Sequence, residues 1–411
     1  MTVENHTLPL AGIKILDMSR VLAGPWCAQM LADFGAEVIK IERPGSGDDS
    51  RAWGPPFYVS PDGKQRVSAY YCCANRSKKS VCLDLDNPED LNAIRALILE
   101  SDVLIENFKV GALRRFGLDY ASLAAIHPAL IYCSITGFGQ TGPYASRPGY
   151  DSIVQGMGGM MSVTGEPDGK PGGGPQKTGI PIIDLMTGVY ACNGILMALR
   201  ERDRSSQGQH LDISLLDVQV STLSTLAANY LESGELPGRH GNEHPTVVPG
   251  DAVQCADGPL MLMVGNDRQF IRLCKHLGLP EIATDPRFGT NEHRVRYKDD
   301  LMPLIRRGFE IASRQHWLDL LLPEGIPCGP INTIAEVFAD EQVQARKCVV
   351  STQHDVFGNI RSVGTPIHMS RTPARATAPP AVLGEHTDAV LASLDSAHNQ
   401  IPDQSCLNQP Q

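Results

Sequence analysis

The chain has 411 residues, 42% hydrophobic and 20% charged, a composition that excludes fibrous and disordered classes and supplies apolar material for two or three well-cored domains. With 36 basic against 46 acidic side chains the net charge is -10, which argues against a general binder of nucleic acid or anionic membrane, so any anionic ligand needs a local basic pocket. The 11 cysteines include no Cys-x-x-Cys pair, and the adjacent Cys72 and Cys73 lack metal-ligand spacing, so free thiols in a reducing compartment and no metal site are expected.

Met1 to His6 has neither a basic n-region nor an apolar h-region, so no secretory leader is read and a cytoplasmic location is expected. The next hundred residues alternate strand and helix. Ile13 to Asp17 reads as a buried strand, Pro25 stands at a first helical position, the helix runs through Gln29 to Phe34, and Gly35 ends it before the strand Glu37 to Ile41. A second unit follows: a strand from Ser80 to Leu85, a helix opened by Asn87-Pro88 and running to Leu99, and a strand from Asp102 to Ile105. Leu130 to Ile135 and His210 to Ser214 add further strands. This alternation predicts an α/β fold, a parallel sheet with helices on both faces and ligands at the carboxyl ends of its strands. The first strand-to-helix turn, Ser19 to Pro25, lacks the three spaced glycines of a dinucleotide fingerprint.

Gly156 to Gly179, including Gly172, Gly173 and Gly174, is rich in Gly and Pro and reads as an active-site loop or a plain connection. From Ile180 to Leu199 the chain is apolar enough to suggest a membrane span, but Asp184 and Asn193 interrupt it, and a central Asp costs about 2.5 to 3.5 kcal/mol on insertion scales. A buried helix with Leu185, Val189, Cys192, Leu196 and Leu199 on one stripe, and no membrane partner, is the expectation. Asp184 stands where an N-cap would, so it reads either as a cap or as a reactive carboxylate held ionised at a helix start. Beyond it, a long helix from about Leu216 to Leu231 leads to a Gly- and Pro-containing linker. A smaller α+β domain then carries a strand pair at 252–254 and 260–264 and helices at 267–278 and 297–312. A last strand lies near Ile360 to Val363. The expected domains are 1–215 with 345–411, a linker at 216–249, a small domain at 250–335, and a return linker at 336–344.

Several blocks in order, among them Gly12 to Asp17, Ala23-Gly24-Pro25, Leu31 to Glu42, Asn75 to Ser80, Glu106-Asn107-Phe108, Ser134 to Gly142, Gly265-Asn266-Asp267 and Leu383 to Thr387, resemble the class III coenzyme A transferases over about residues 10 to 390. The resemblance implies a Rossmann-like large domain built from both termini, a small domain between, and an interlaced homodimer. It places Asp184 at the family's nucleophilic aspartate. It also implies that coenzyme A is substrate and covalent intermediate, with no other tightly bound cofactor, and that Arg20, Val21, Arg43, Arg76, Lys78, Lys79, Asn107, Phe108 and Arg115 contact it. The glycines 172–174 are then expected as a lid, Tyr150 beside the reacting centre, and His244 as an acid-recognition residue. The racemases of the same fold place a His where this chain has Tyr150, and racemisation needs an acid and a base on opposite faces of the α-carbon. Oxalate-using members carry consecutive glycines where this chain has Val247 to Asp251, whereas Asn242, His244 and Pro245 resemble the branch that handles succinate and glutarate. A CoA transferase from succinyl-CoA to a dicarboxylic acid is therefore expected; a racemase or isomerase, or a non-catalytic CoA-binding protein, are the alternatives.

Overall fold

The computed structural model describes residues 8–398; the leader reading, which rests on Met1 to His6, lies outside them. Contacts group the chain into two units, one of residues up to Gly159, Gly179–Ala227 and from Arg346, the other of Met160–Thr178 and Ala228–Ala345. The stretch 160–178, which the sequence reading kept with the large domain, groups with the second unit.

The first unit is built on a six-stranded sheet ordered Lys78–Cys82, Glu37–Glu42, Lys14–Asp17, Val103–Glu106, Ile131–Thr136, His210–Ser214, with every neighbouring pair parallel. Numbered along the chain this is the order 3-2-1-4-5-6, which reverses direction between Lys14–Asp17 and Val103–Glu106, the place where doubly wound sheets bind ligands. The central strands are near-continuous apolar runs because both faces are covered: Ile15, Leu16, Val103, Leu104, Ile105 and Ile131 are at most 1% exposed. The Pro88–Leu99 helix begins as read, with the Asn87 side chain accepting the N–H groups of Glu89 and Asp90 at 2.8 and 3.3 Å, a cap that contributes about 1 kcal/mol.

The apolar stretch after Gly179 forms one helix, Ile182–Ser205, long and apolar enough by length and composition to cross a membrane. In the fold it packs on the Ala23–Asp33 helix and the Ile131–Thr136 and His210–Ser214 strands. Its buried stripe is Ile183, Thr187, Gly188, Ala191, Cys192, Ile195, Ala198 and Leu199, while Leu196 is exposed. The expected stripe is thus rotated, because close helix packing selects the small residues: a Cβ on Gly188 would stand 2.8 Å from the Ala23 carbonyl oxygen. The single helix expected over 216–231 is two, Leu215–Thr222 and Ser224–Ser233, broken where Ser224 takes a φ of 47°. A hairpin of Val349–His354 and Gly358–Val363 and the Thr387–His398 helix complete the unit. The later chain is tied to the earlier by long-range bonds, as where the Arg51 guanidinium donates to the Ala381 carbonyl at 3.2 Å across 330 residues.

The second unit holds a three-stranded antiparallel sheet, Cys328–Pro330, Gly258–Met263, Gly250–Cys255, whose third strand the sequence did not reveal. Phe270, Leu273, Leu301, Ile305, Phe309 and Trp317 from its helices close the core.

Candidate active site

The loops leaving the carboxyl ends of Lys14–Asp17 and Val103–Glu106 wall two cavities that share Arg20, Phe108 and Lys109. The larger, about 480 Å³, is lined by Met18, Ile41, Arg43, Leu83, Arg115 and Phe116 among others. The smaller, about 210 Å³, is lined by Val21, Asn107, Arg147, Tyr150 and Asp184. Arg20, Val21, Arg43, Asn107, Phe108, Arg115, Tyr150 and Asp184 are thus brought to one cleft. Arg115 stacks on Phe116 at 4.3 Å and pairs with Asp86 at 3.0 Å.

Three basic residues expected there lie elsewhere. Arg76 is buried, donating to Asp33 from Nε and Nη2 at 2.8 and 2.5 Å and from Nη1 to the Val363 carbonyl at 2.8 Å. The Lys78 ammonium spends its three donors on Asp17, Asn75 and the Pro25 carbonyl, at 2.8 to 2.9 Å. Lys79 pairs with Glu37 at 2.5 Å and lines a separate cavity with Lys14 and Glu100. All three precede or begin a strand, whereas the cleft gathers the loops that follow strands. Gly172, Gly173, Gly174 and His244 belong to the second unit. There Gly174 N–H donates to the Glu166 carbonyl, and His244 holds a turn by donating its N–H to the Gly250 carbonyl at 2.7 Å and accepting Thr246 N–H at 3.2 Å.

Asp184 is not the N-cap. The helix starts at Ile182 after Pro181, so Asp184 is its third residue, and the capping carboxylate comes from outside. Oδ2 of Asp151, the first residue of the Asp151–Met157 helix, accepts the N–H groups of Ile183 and Asp184 at 2.8 and 3.2 Å, while Oδ1 accepts Gln155 Nε2 at 2.6 Å. Asp151 is placed by a backbone crossing behind Tyr150, where a Cβ on Gly149 would stand 2.4 Å from the Gly137 Cα. Burial first, and then the Asp151 charge, push the Asp184 carboxyl up to about 7, so the carboxylate expected to be held ionised by a helix start is instead poised near neutrality. Burial, with the Asp184 charge next, holds the Tyr70 phenol far above its ordinary range. Tyr70 and Arg147, which lies over the Tyr144 ring at 3.7 Å, are neighbours that no sequence motif announced. Among the described residues no group of three or more His, Cys, Asp or Glu could hold a metal ion.

The parallel sheet thus carries at its reversal point a cation-bearing cleft with a carboxyl of raised pKa in the wall, the place where doubly wound α/β folds bind their ligands. The chain belongs to CoA-transferase family III, whose model matches residues 10–387. It is 50% identical over 394 residues, 96% of this chain and 98% of the relative, to succinate–glutarate CoA-transferase of Agrobacterium fabrum. It is 40% identical over 387 residues, 94% and 86% of the two chains, to human succinyl-CoA:glutarate CoA-transferase. The crystal structure of a CAIB/BAIF family protein from Brucella suis superposes with a TM-score of 0.88 at 45% identity, covering 95% of this chain and all of that one.

Proposed function

We propose that the protein moves coenzyme A from succinyl-CoA to a dicarboxylic acid such as glutarate, with Asp184 as the covalent carrier. The observation that carries this reading is the Asp184 carboxyl in the wall of the switch-point cleft; the names of the relatives supply the substrate class. In the ionised form Asp184 attacks the succinyl carbonyl, giving a mixed anhydride and CoA thiolate. The thiolate attacks the aspartyl carbonyl, releasing succinate and leaving CoA as a thioester on Asp184. The acceptor carboxylate attacks that thioester and frees the thiolate, which then takes the acceptor acyl group and restores the carboxylate. The larger cavity suits the nucleotide end, where Arg43 and Arg115 supply charge for phosphates. The smaller suits the thioester, and its cations Arg20, Lys109 and Arg147 suit the far carboxylate of a dicarboxylic acid.

Tyr150 rather than His beside Asp184 weighs against racemisation, which needs an acid and a base on opposite faces of the α-carbon. Ile153, Met157, Tyr190, Met197 and Val220 are exposed in the single chain, apolar surface suited to burial in a homodimer; on that reading the wild type sediments as a dimer and Met197→Asp as a monomer. The ten free thiols among the described residues fit a reducing, cytoplasmic setting. Incubation with succinyl-CoA and glutarate, read by mass, tests the function. Glutaryl-CoA and a CoA adduct on the peptide containing Asp184 are expected, both lost in Asp184→Ala; unchanged turnover in that variant excludes the carrier role.

A further inference from the structure

The turn Ser19 to Val21 carries Arg20 into both cavities, and its backbone is unusual. Val21 has a φ of 73°, a left-handed conformation that a β-branched residue adopts only when its surroundings over-determine it. Those surroundings are three side chains. Lys40 Nζ donates to the Ser19 carbonyl at 2.6 Å. The Asn107 carboxamide pairs with Arg20 as a peptide unit of a strand would, accepting its N–H at 2.9 Å and donating to its carbonyl at 2.7 Å. Asp48 accepts the Val21 N–H at 3.1 and 3.2 Å and takes the Lys40 ammonium at 3.1 Å, with both side chains at most 1% exposed. Four consecutive backbone polar groups, from the Ser19 carbonyl to the Val21 N–H, are thereby fixed by side chains from the Glu37–Glu42 strand and two other loops. The Arg20 side chain is held over Phe108 at 5.7 Å and against Asp49 at 3.3 Å, and its buried Nε has no partner among the described residues.

We propose that Asp48, backed by Lys40 and acting with Asn107, is a positioning residue of the acyl-CoA cleft: it holds the strained Ser19–Val21 turn so that the Arg20 guanidinium stands between the two cavities. The inference rests on the reading of this cleft as the CoA site. Asp48 lines the larger cavity but not the one that holds Asp184, and it acts on Arg20 through the backbone of Val21. Its negative charge is secure, since Lys40 and the Ser50 hydrogen bonds outweigh burial and leave its carboxyl at about 2. Released from Asp48 and Asn107, Val21 relaxes to negative φ, which swings Arg20 away from the shared wall.

The test compares wild type, Asp48→Asn, Asn107→Ala and the double variant in steady state with succinyl-CoA, and titrates each with CoA alone. A positioning role raises KM for succinyl-CoA and weakens CoA affinity by about tenfold in each single variant while kcat falls by less than about threefold. Because both act on one turn, the double variant shows clearly less than the product of the two effects. If a folded Asp48→Asn or Asn107→Ala protein keeps wild-type KM and CoA affinity, or if the two effects simply multiply, the proposal is wrong. Should Asp48→Asn fail to fold, Asn107→Ala decides, since it removes no buried charge. Wild type that binds CoA yet transfers nothing would overturn the transferase reading alone, and CoA affinity would still judge the turn.

Discussion

The Asp151 carboxylate caps the helix whose first turn carries Asp184, accepting the amides of Ile183 and Asp184 from 32 and 33 residues away. One carboxylate therefore does two things to the other: it fixes the backbone beneath it and, by its charge, disfavours ionisation above it.

The deprotonated fraction of Asp184 grows as pH rises through about 7, so the rate of CoA-adduct formation from succinyl-CoA alone should rise along an acid limb centred near there. Asp151→Asn keeps an acceptor for the helix amides but removes the charge, so the Asp184 pKa falls and the limb moves to lower pH. Single-turnover rates against pH check this; a limb that stays in place would refute the charge coupling.

The same raised pKa sets a stability cost. An Asp near 3.9 in the unfolded chain and near 7 in the fold binds more protons folded than unfolded between those values, so stability falls as pH rises across that window and the loss is complete above it. Asp184→Asn removes the ionisation, so the inactive variant should be more stable than wild type by about 4 kcal/mol at pH 8 and equal to it below about pH 4. Thermal melts of both proteins across pH 4 to 8, a window set by those two pKa values, are the measurement.

Arg147 shares the smaller cavity with Asp184. Its replacement by Ala should raise KM for glutarate by about tenfold while leaving KM for a monocarboxylate of equal length nearly unchanged, because only the former loses a charge-assisted bond. Equal losses for both acids would assign Arg147 to the CoA moiety or to the loop fold instead.

Arg294 is fully buried in the second unit, donating to the Val248 and Phe288 carbonyls at 2.7 and 3.0 Å and to Asp267 at 2.8 Å, over the Phe270 ring. Arg294→Met leaves the two carbonyls without a donor and should cost about 3 kcal/mol. Urea unfolding of the whole chain reads it, and a loss below about 1 kcal/mol would mean water replaces the guanidinium.

Much of the parallel sheet was legible because burial on both faces writes apolar runs such as Val103 to Ile105, and because Asn87-Pro88 caps a helix by local chemistry. Asp184 was legible as a charge in an apolar stretch and through the family blocks. Its cap was not, since Asp151 reaches it through the Gly137–Gly149 backbone crossing rather than through spacing. Arg76 and Lys78 show the complementary limit: a sequence displays cations near a sheet, but only the packing tells that Asp33 and Asp17 already occupy them. Arg147 and Tyr70 carried no pattern at all. The strand Cys328–Pro330 is too short to write an alternation.

The bond from Arg51 to Ala381 also bears on how the protein is made. A guanidinium that also holds Glu42 at 2.7 Å waits in the nascent chain until Ala381 has left the ribosome, while the stretch from Ala228 to Ala345 can close on its own core beforehand. A message cut short between codons 346 and 380 therefore yields a finished insert hanging from an unfinished host, a species whose exposed sheet invites quality-control proteases rather than substrate.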